Sequence, residues 1–150
     1  MSERLALFIL TILFPIAASA GAWGVGSYDN DMAQDWYLDI QGAPIRGIII
    51  ERAFDVPPVG YLDVDECSIV FAAAEIIVAK RTGDLGSIPF DGNEWILSLD
   101  SPSNLLLEKA RLAIGYCLDE ARSELAGLWK DSQYFDAWRL GAETMTKRLQ

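Results

Sequence analysis

Residues 63–83 read DVDECSIVFAAAEIIVAKRTG, and this stretch decides the fold. Between Ser68 and Ala79 only Ser68 and Glu75 are polar. A surface helix shows one apolar stripe, whereas a helix apolar all round must be enclosed on every side. The spacing therefore predicts a central helix over 63–81, buried on nearly all its faces. Asp63, Asp65 and Glu66 set negative charge at the positive end of its dipole, and Lys80 and Arg81 set positive charge at the other end. Gly83 stops it.

Helical periodicity continues on both sides. Upstream, Asp29, Asn30 and Asp31 form a helix start, their side-chain oxygens available to free backbone N–H groups. The helix they open is predicted over 31–41, with Met32, Ala33, Trp36, Tyr37 and Ile40 inward and Gly42 as its stop. Pro44 opens a second helix over 45–55, with Ile45, Ile48, Ile49 and Ala53 inward, and Pro57-Pro58 breaks the chain. Downstream, a short helix carries Trp95, Ile96 and Leu99, and Ser101-Pro102 opens a long helical region over 103–130 that bends near 119–123. The last helix, over 133–149, carries the stripe Tyr134, Trp138, Ala142, Met145 and Leu149. No strand alternation or internal repeat competes with this reading. The expected fold is all-α, a compact single-domain bundle of five or six helices over 21–150.

The first twenty residues have a different character. After Met1–Arg4, residues 5–20 read LALFILTILFPIAASA, sixteen residues without a charge, ending in the small-x-small pattern Ala18-Ser19-Ala20. That is the pattern of a secretory signal peptide cleaved after Ala20. The run is short of the roughly 20 residues that span a bilayer, so no stable membrane insertion is expected after cleavage. The expected destination is the periplasm or the exterior.

The chain carries 12 Lys plus Arg against 22 Asp plus Glu, has no histidine, and has a formal net charge of -10. Catalytic and metal-binding schemes that need an imidazole are excluded. Phosphate backbones repel such a chain, so nucleic acid is not an expected partner. The charge is uneven. Residues 21–66 hold nine acids against Arg46 and Arg52, a balance of -7. One reading is a solvated surface. The other is an acidic face, with Asp35, Asp39, Asp63 and Asp65, that meets a basic protein partner.

An exported chain meets oxidising conditions, and Cys67 and Cys117 allow one bridge. Each falls on an apolar helix face. A bridge between them closes a loop of about 50 residues and stabilises by about 3 to 4 kcal/mol in the chain-entropy model; the alternative is two buried thiols.

Candidate chemistry is sparse. Asp29-Asn30-Asp31 with Asp35 suggests a calcium loop, but the sixth position is Gln34 and the twelfth Ile40. Such a loop needs glycine and glutamate there. Counted from Asp63, the sixth position is Ser68, and that motif fails too. No metal or cofactor is expected. Glu75 lies among Ala72, Ala73, Ala74, Ile76, Ile77 and Val78, where an unpaired charge is costly. It is expected either to carry a raised pKa or to be a structural anchor bonded to the glycine-rich segment, an indole or an arginine. An anchor implies that Glu75→Gln lowers thermal stability. Trp23, Asp29 and Asn30 complete the expected anchors. Of the tryptophans at 23, 36, 95, 129 and 138, most sit at core spacing, with one or two available to an interface.

The run Gly21-Ala22-Trp23-Gly24-Val25-Gly26-Ser27-Tyr28-Asp29-Asn30-Asp31, with Ala33 and Asp35-Trp36 after it, resembles the opening of a bacterial family, domain of unknown function 4259. Members begin Gly-Ala-Trp-Gly, continue to Phe-Asp-Asn-Asp and enter a helix. Ala72-Ala73-Ala74-Glu75, Ser123-Glu124-Leu125 and Leu128-Trp129 are similar to that family as well. This chain departs in Tyr28, where phenylalanine is usual, and in its leader. The resemblance implies an all-helical domain and supplies no catalytic residues to carry over.

Two functions are therefore expected to compete. The first is a non-enzymatic binding module of the cell envelope, such as an immunity-type inhibitor of a toxin or secreted effector. The second is a cell-envelope hydrolase working through paired carboxylates, with Glu75 or Asp29 and Asp31 as candidates.

Overall fold

The computed structural model describes residues 22–150; the signal peptide expected over residues 1–20 and its expected cleavage point lie outside the described residues. In chain order the helices are α1 (Asp31–Gln41), α2 (Arg46–Arg52), α3 (Val64–Thr82), α4 (Asn104–Cys117), α5 (Glu124–Lys130) and α6 (Phe135–Arg148). A 3-10 turn, Glu94–Ser98, lies between α3 and α4. The fold is all-α.

α3 is the axis around which the others pack. Eleven of its residues are buried, from Cys67 to Ala79, and α1, α4, α5, α6 and the 3-10 turn all contact it. Its start is a full capping box: the Asp63 carboxylate accepts from the Glu66 N–H, and the Glu66 carboxylate accepts from the Asp63 N–H. Its end is Gly83 at φ +73°, a left-handed conformation that glycine adopts without a Cβ penalty. At this end Lys80 Nζ donates to Leu97 O at 2.7 Å and ties α3 to the 3-10 turn.

The region expected as one bent helix is two helices, α4 and α5. No proline or glycine breaks it. The break is tertiary: Leu62 N–H donates to Arg122 O at 2.7 Å and Glu124 N–H donates to Leu62 O at 3.0 Å, so 118–123 serves the segment before α3 rather than its own helix. Buried Ser123 then starts α5 by accepting from Ala126 N–H at 3.1 Å.

α2 is shorter than expected, and its inward face differs in part: Ile49 and Ala53 pack on the core as expected. Ile45 and Ile48 are 51% and 50% exposed, whereas Ile50 and Phe54 are buried. A helix of seven residues gives too few turns for periodicity to select a face. On α6, Trp138, Ala142 and Met145 are buried, as is Leu149 just beyond it, but Tyr134 is exposed and half-buried Phe135 packs on the core in its place.

Cys67 on α3 and Cys117 at the end of α4 stand at disulfide distance, with sulfurs 2.17 Å and Cα atoms 5.5 Å apart. The pair joins the central helix to α4.

Candidate functional site

The segment 22–30 builds the site from short-range bonds. Trp23 N–H donates to Asp29 O at 2.9 Å and Asp29 N–H to Gly26 O at 3.0 Å, folding the segment back on itself. The Asp29 carboxylate accepts from Gly26 N–H at 2.8 Å. That carboxylate lies so close to the backbone that a Cβ on Gly24 or Gly26 would stand 2.2 or 2.8 Å from its Oδ2. A side chain at either position would force the Asp29 carboxylate out of the turn it closes. Tyr28 then fastens the loop to α3, its buried hydroxyl donating to Ala72 O at 2.8 Å.

The structure divides the expected helix-start cluster. Asn30 caps α1, accepting from Ala33 N–H at 2.8 Å. Asp29 does not cap it; its carboxylate closes the glycine turn instead. Trp23, placed among the anchors by its sequence context, is 59% exposed and contributes only its backbone.

Between this loop, α3, α5 and α6 lies a half-open cavity of about 250 Å³. Phe71, Trp129, Trp138 and Met145 give it apolar walls, and Glu75 is the one ionisable side chain in its lining. The rings are fixed by each other: Trp129 stacks on Trp138 at 5.8 Å, and Phe71 meets Trp138 edge-on at 5.9 Å. Small residues keep the space open, with Gly24 and Gly26 on one side and Ala137 and Gly141 on the other.

Glu75 Oε1 accepts from Ser27 Oγ at 3.2 Å, while Oε2 is buried without a hydrogen-bond partner. Burial pushes its pKa above the usual carboxylate range. The nearby hydroxyls of Ser87 and Ser27 and, through space, Arg148 pull it part of the way back. The same buried neighbourhood raises the Tyr28 hydroxyl well above its ordinary value, first by desolvation and then by the Glu75 charge.

A second, shallower cleft of about 190 Å³ adjoins the first, sharing Asn30, Val64 and Ser68 with it. It brings together Asp31 and Asp35 of α1 and Asp65 of α3. Asp39 is exposed one turn beyond Asp35, and the Asp63 carboxylate is engaged in the α3 cap. The ion pairs among the described residues lie elsewhere, namely Lys109 with Glu51 and Asp55, Lys130 with Glu120, and Arg139 with Glu143. None of the acids at 29, 31, 35, 39, 63, 65 or 66 shares one. No group of three or more acid or cysteine side chains among the described residues is arranged to hold a metal ion.

The sequence marks Glu75 and the acids but not the cavity walls. Phe71, Trp129 and Trp138 read as ordinary core spacing, and Ser27 and Ser123 carry no signal beyond helix-start or loop chemistry. Phe71 and Glu75, one helical turn apart on α3, are the single hint that a carboxylate and an aromatic ring share a face.

Fold and site together define an all-helical domain with a cleft of three acids that share no ion pair among the described residues, beside a small aromatic cavity that holds one carboxylate. The chain belongs to the family described as Domain of unknown function (DUF4259), whose model matches residues 21–140. No curated protein and no solved structure matches the chain.

Proposed function

We propose that this protein is an exported, non-enzymatic binding module of a bacterial envelope that recognises a basic protein, of the kind represented by an immunity-type inhibitor of a toxin or secreted effector. The observation that carries this reading is the cleft of Asp31, Asp35 and Asp65, whose carboxylates share no ion pair among the described residues while the ion-paired bases lie elsewhere. Unneutralised charge of one sign on one face raises the encounter rate with a partner of the other sign. The leader pattern of residues 1–20 supports export. The test is capture from envelope extract by the wild type and by a variant with Asp31, Asp35 and Asp65 all changed to Asn. A stoichiometric basic partner held by the wild type and captured more weakly by the variant is the expected result; no stoichiometric partner, or equal capture by both, contradicts it.

The hydrolase reading keeps one supporting feature, a carboxylate with a raised pKa at a cavity, as a general acid requires. Paired-carboxylate chemistry needs a second acid facing the same space. The cavity lining offers none, and the Asp29 carboxylate is engaged by the glycine turn. Binding is therefore the reading we favour.

A further inference from the structure

The cavity has an unusual combination of size and chemistry. At about 250 Å³ it lies below the range of about 300–1,000 Å³ typical of sites for whole small molecules, so it suits a single side-chain-sized group. Its walls are aromatic and apolar, yet they hold a carboxylate with one oxygen buried and unpartnered. A purely apolar occupant would shut that carboxylate away from water without pairing it, which is unfavourable. An anion would be repelled. A cation on an aliphatic stem meets both demands, since its charge pairs with Glu75 and its stem lies along Phe71, Trp129 and Trp138, whose ring faces also attract cations.

The surroundings point the same way. The cavity shares a wall with the cleft of Asp31, Asp35 and Asp65, so a basic surface drawn to those acids arrives at its mouth. Val25 lines that mouth and is exposed, and the exposed Trp23 lies between the lining residues Ala22 and Gly24. An exposed tryptophan beside a pocket is the composition of an interface centre. Gly141 is telling as well. It occupies the interior of α6, where glycine is a poor helix former, and a Cβ there would meet nothing within 4 Å. A larger side chain at this lining position would therefore extend into open space.

We propose that the Glu75 cavity receives one lysine or arginine side chain of the basic protein partner, with Glu75 as its counter-ion and Trp129 and Trp138 as its walls. This rests on the partner reading above. Among the described residues Arg148 is the one cation felt at Glu75, and it acts through space. Ser27 holds Oε1 in place.

The test uses the full mature chain in mildly alkaline buffer, titrated with N-acetyl-lysine methylamide, N-acetyl-arginine methylamide and the neutral N-acetyl-norleucine methylamide. The indole N–H signals of Trp129 and Trp138 are followed by NMR. The expected result is saturable, millimolar binding of at least one cationic probe, with the norleucine probe about tenfold weaker or worse. Glu75→Gln removes that preference. Gly141→Leu, which leaves Glu75 intact and places a side chain in open space, removes binding while the spectrum stays folded. Absence of saturable shifts for both cationic probes, equal binding of the neutral one, or undiminished binding by folded Gly141→Leu would overturn the proposal. The probes need no partner, so this outcome is independent of the capture experiment. Conversely, the Asp31, Asp35 and Asp65 variant can lose capture while its cavity still binds the probes.

Discussion

Glu75 shows how far a single residue can be read. Its apolar neighbours in sequence already imply a carboxylate with a raised pKa or a partner, and it has the first and one bond of the second, from Ser27. What the raised pKa does to stability follows from linkage. The folded chain holds this proton more tightly than the unfolded chain, so the contribution of Glu75 is most favourable below the ordinary value of 4.5 and declines as pH rises through and above it. Burial penalises the charged form while the Ser27 bond holds the carboxylate in place, so the two act in opposite directions on Glu75→Gln. Thermal melts across pH should show the melting temperature of Glu75→Gln rising relative to the wild type as pH rises through and above the carboxylate range. A lower melting temperature at neutral pH with an unchanged pH slope contradicts this account. The cavity beside Glu75 was not legible. It is made where Gly24 and Gly26 of the loop face Ala137 and Gly141 of α6, and sequence periodicity says nothing about which distant small residues will leave a gap.

At the scale of elements, α1 and α3 were legible almost to their ends because each has strong local chemistry, namely the Asn30 cap and the Asp63–Glu66 capping box. The division between α4 and α5 was visible only as a bend, since its cause is the pairing of Arg122 and Glu124 with Leu62, about sixty residues away. The face of α2 is legible only in part, in Ile49 and Ala53, because seven residues carry little periodicity. The Cys67–Cys117 pair binds the most buried helix to α4 across a sequence separation of 50 residues. Mass spectrometry without reductant should find no alkylatable thiol. Replacing both cysteines with alanine should lower the unfolding free energy by about 3 to 4 kcal/mol, read from urea denaturation. Free thiols in the native protein, or a double variant as stable as the wild type, would contradict the bridge.

For the whole molecule the governing quantity is charge and its placement. The net charge of -10 is plain in the sequence, and so is its concentration in residues 21–66. The sequence could not show which acids have structural employment. Asp29 and Asp63 hold backbone N–H groups, and Glu51 and Asp55 pair with Lys109. Asp31, Asp35 and Asp65 share a cleft and have no such pair. That distribution is the centre of the binding proposal, and its kinetic consequence is specific. Charge steering acts on the encounter, so it appears in the association rate and fades as salt screens it over about 10 Å at 0.1 M ionic strength. The decisive measurement is the association rate constant of the captured basic partner as a function of ionic strength, for the wild type and for the Asp31, Asp35 and Asp65 to Asn variant. The account predicts a wild-type rate that falls by about tenfold or more from low to physiological salt, a variant that begins slower and depends less on salt, and dissociation rates that change little. A wild-type association rate independent of salt, or a variant with the same salt dependence as the wild type, would contradict it.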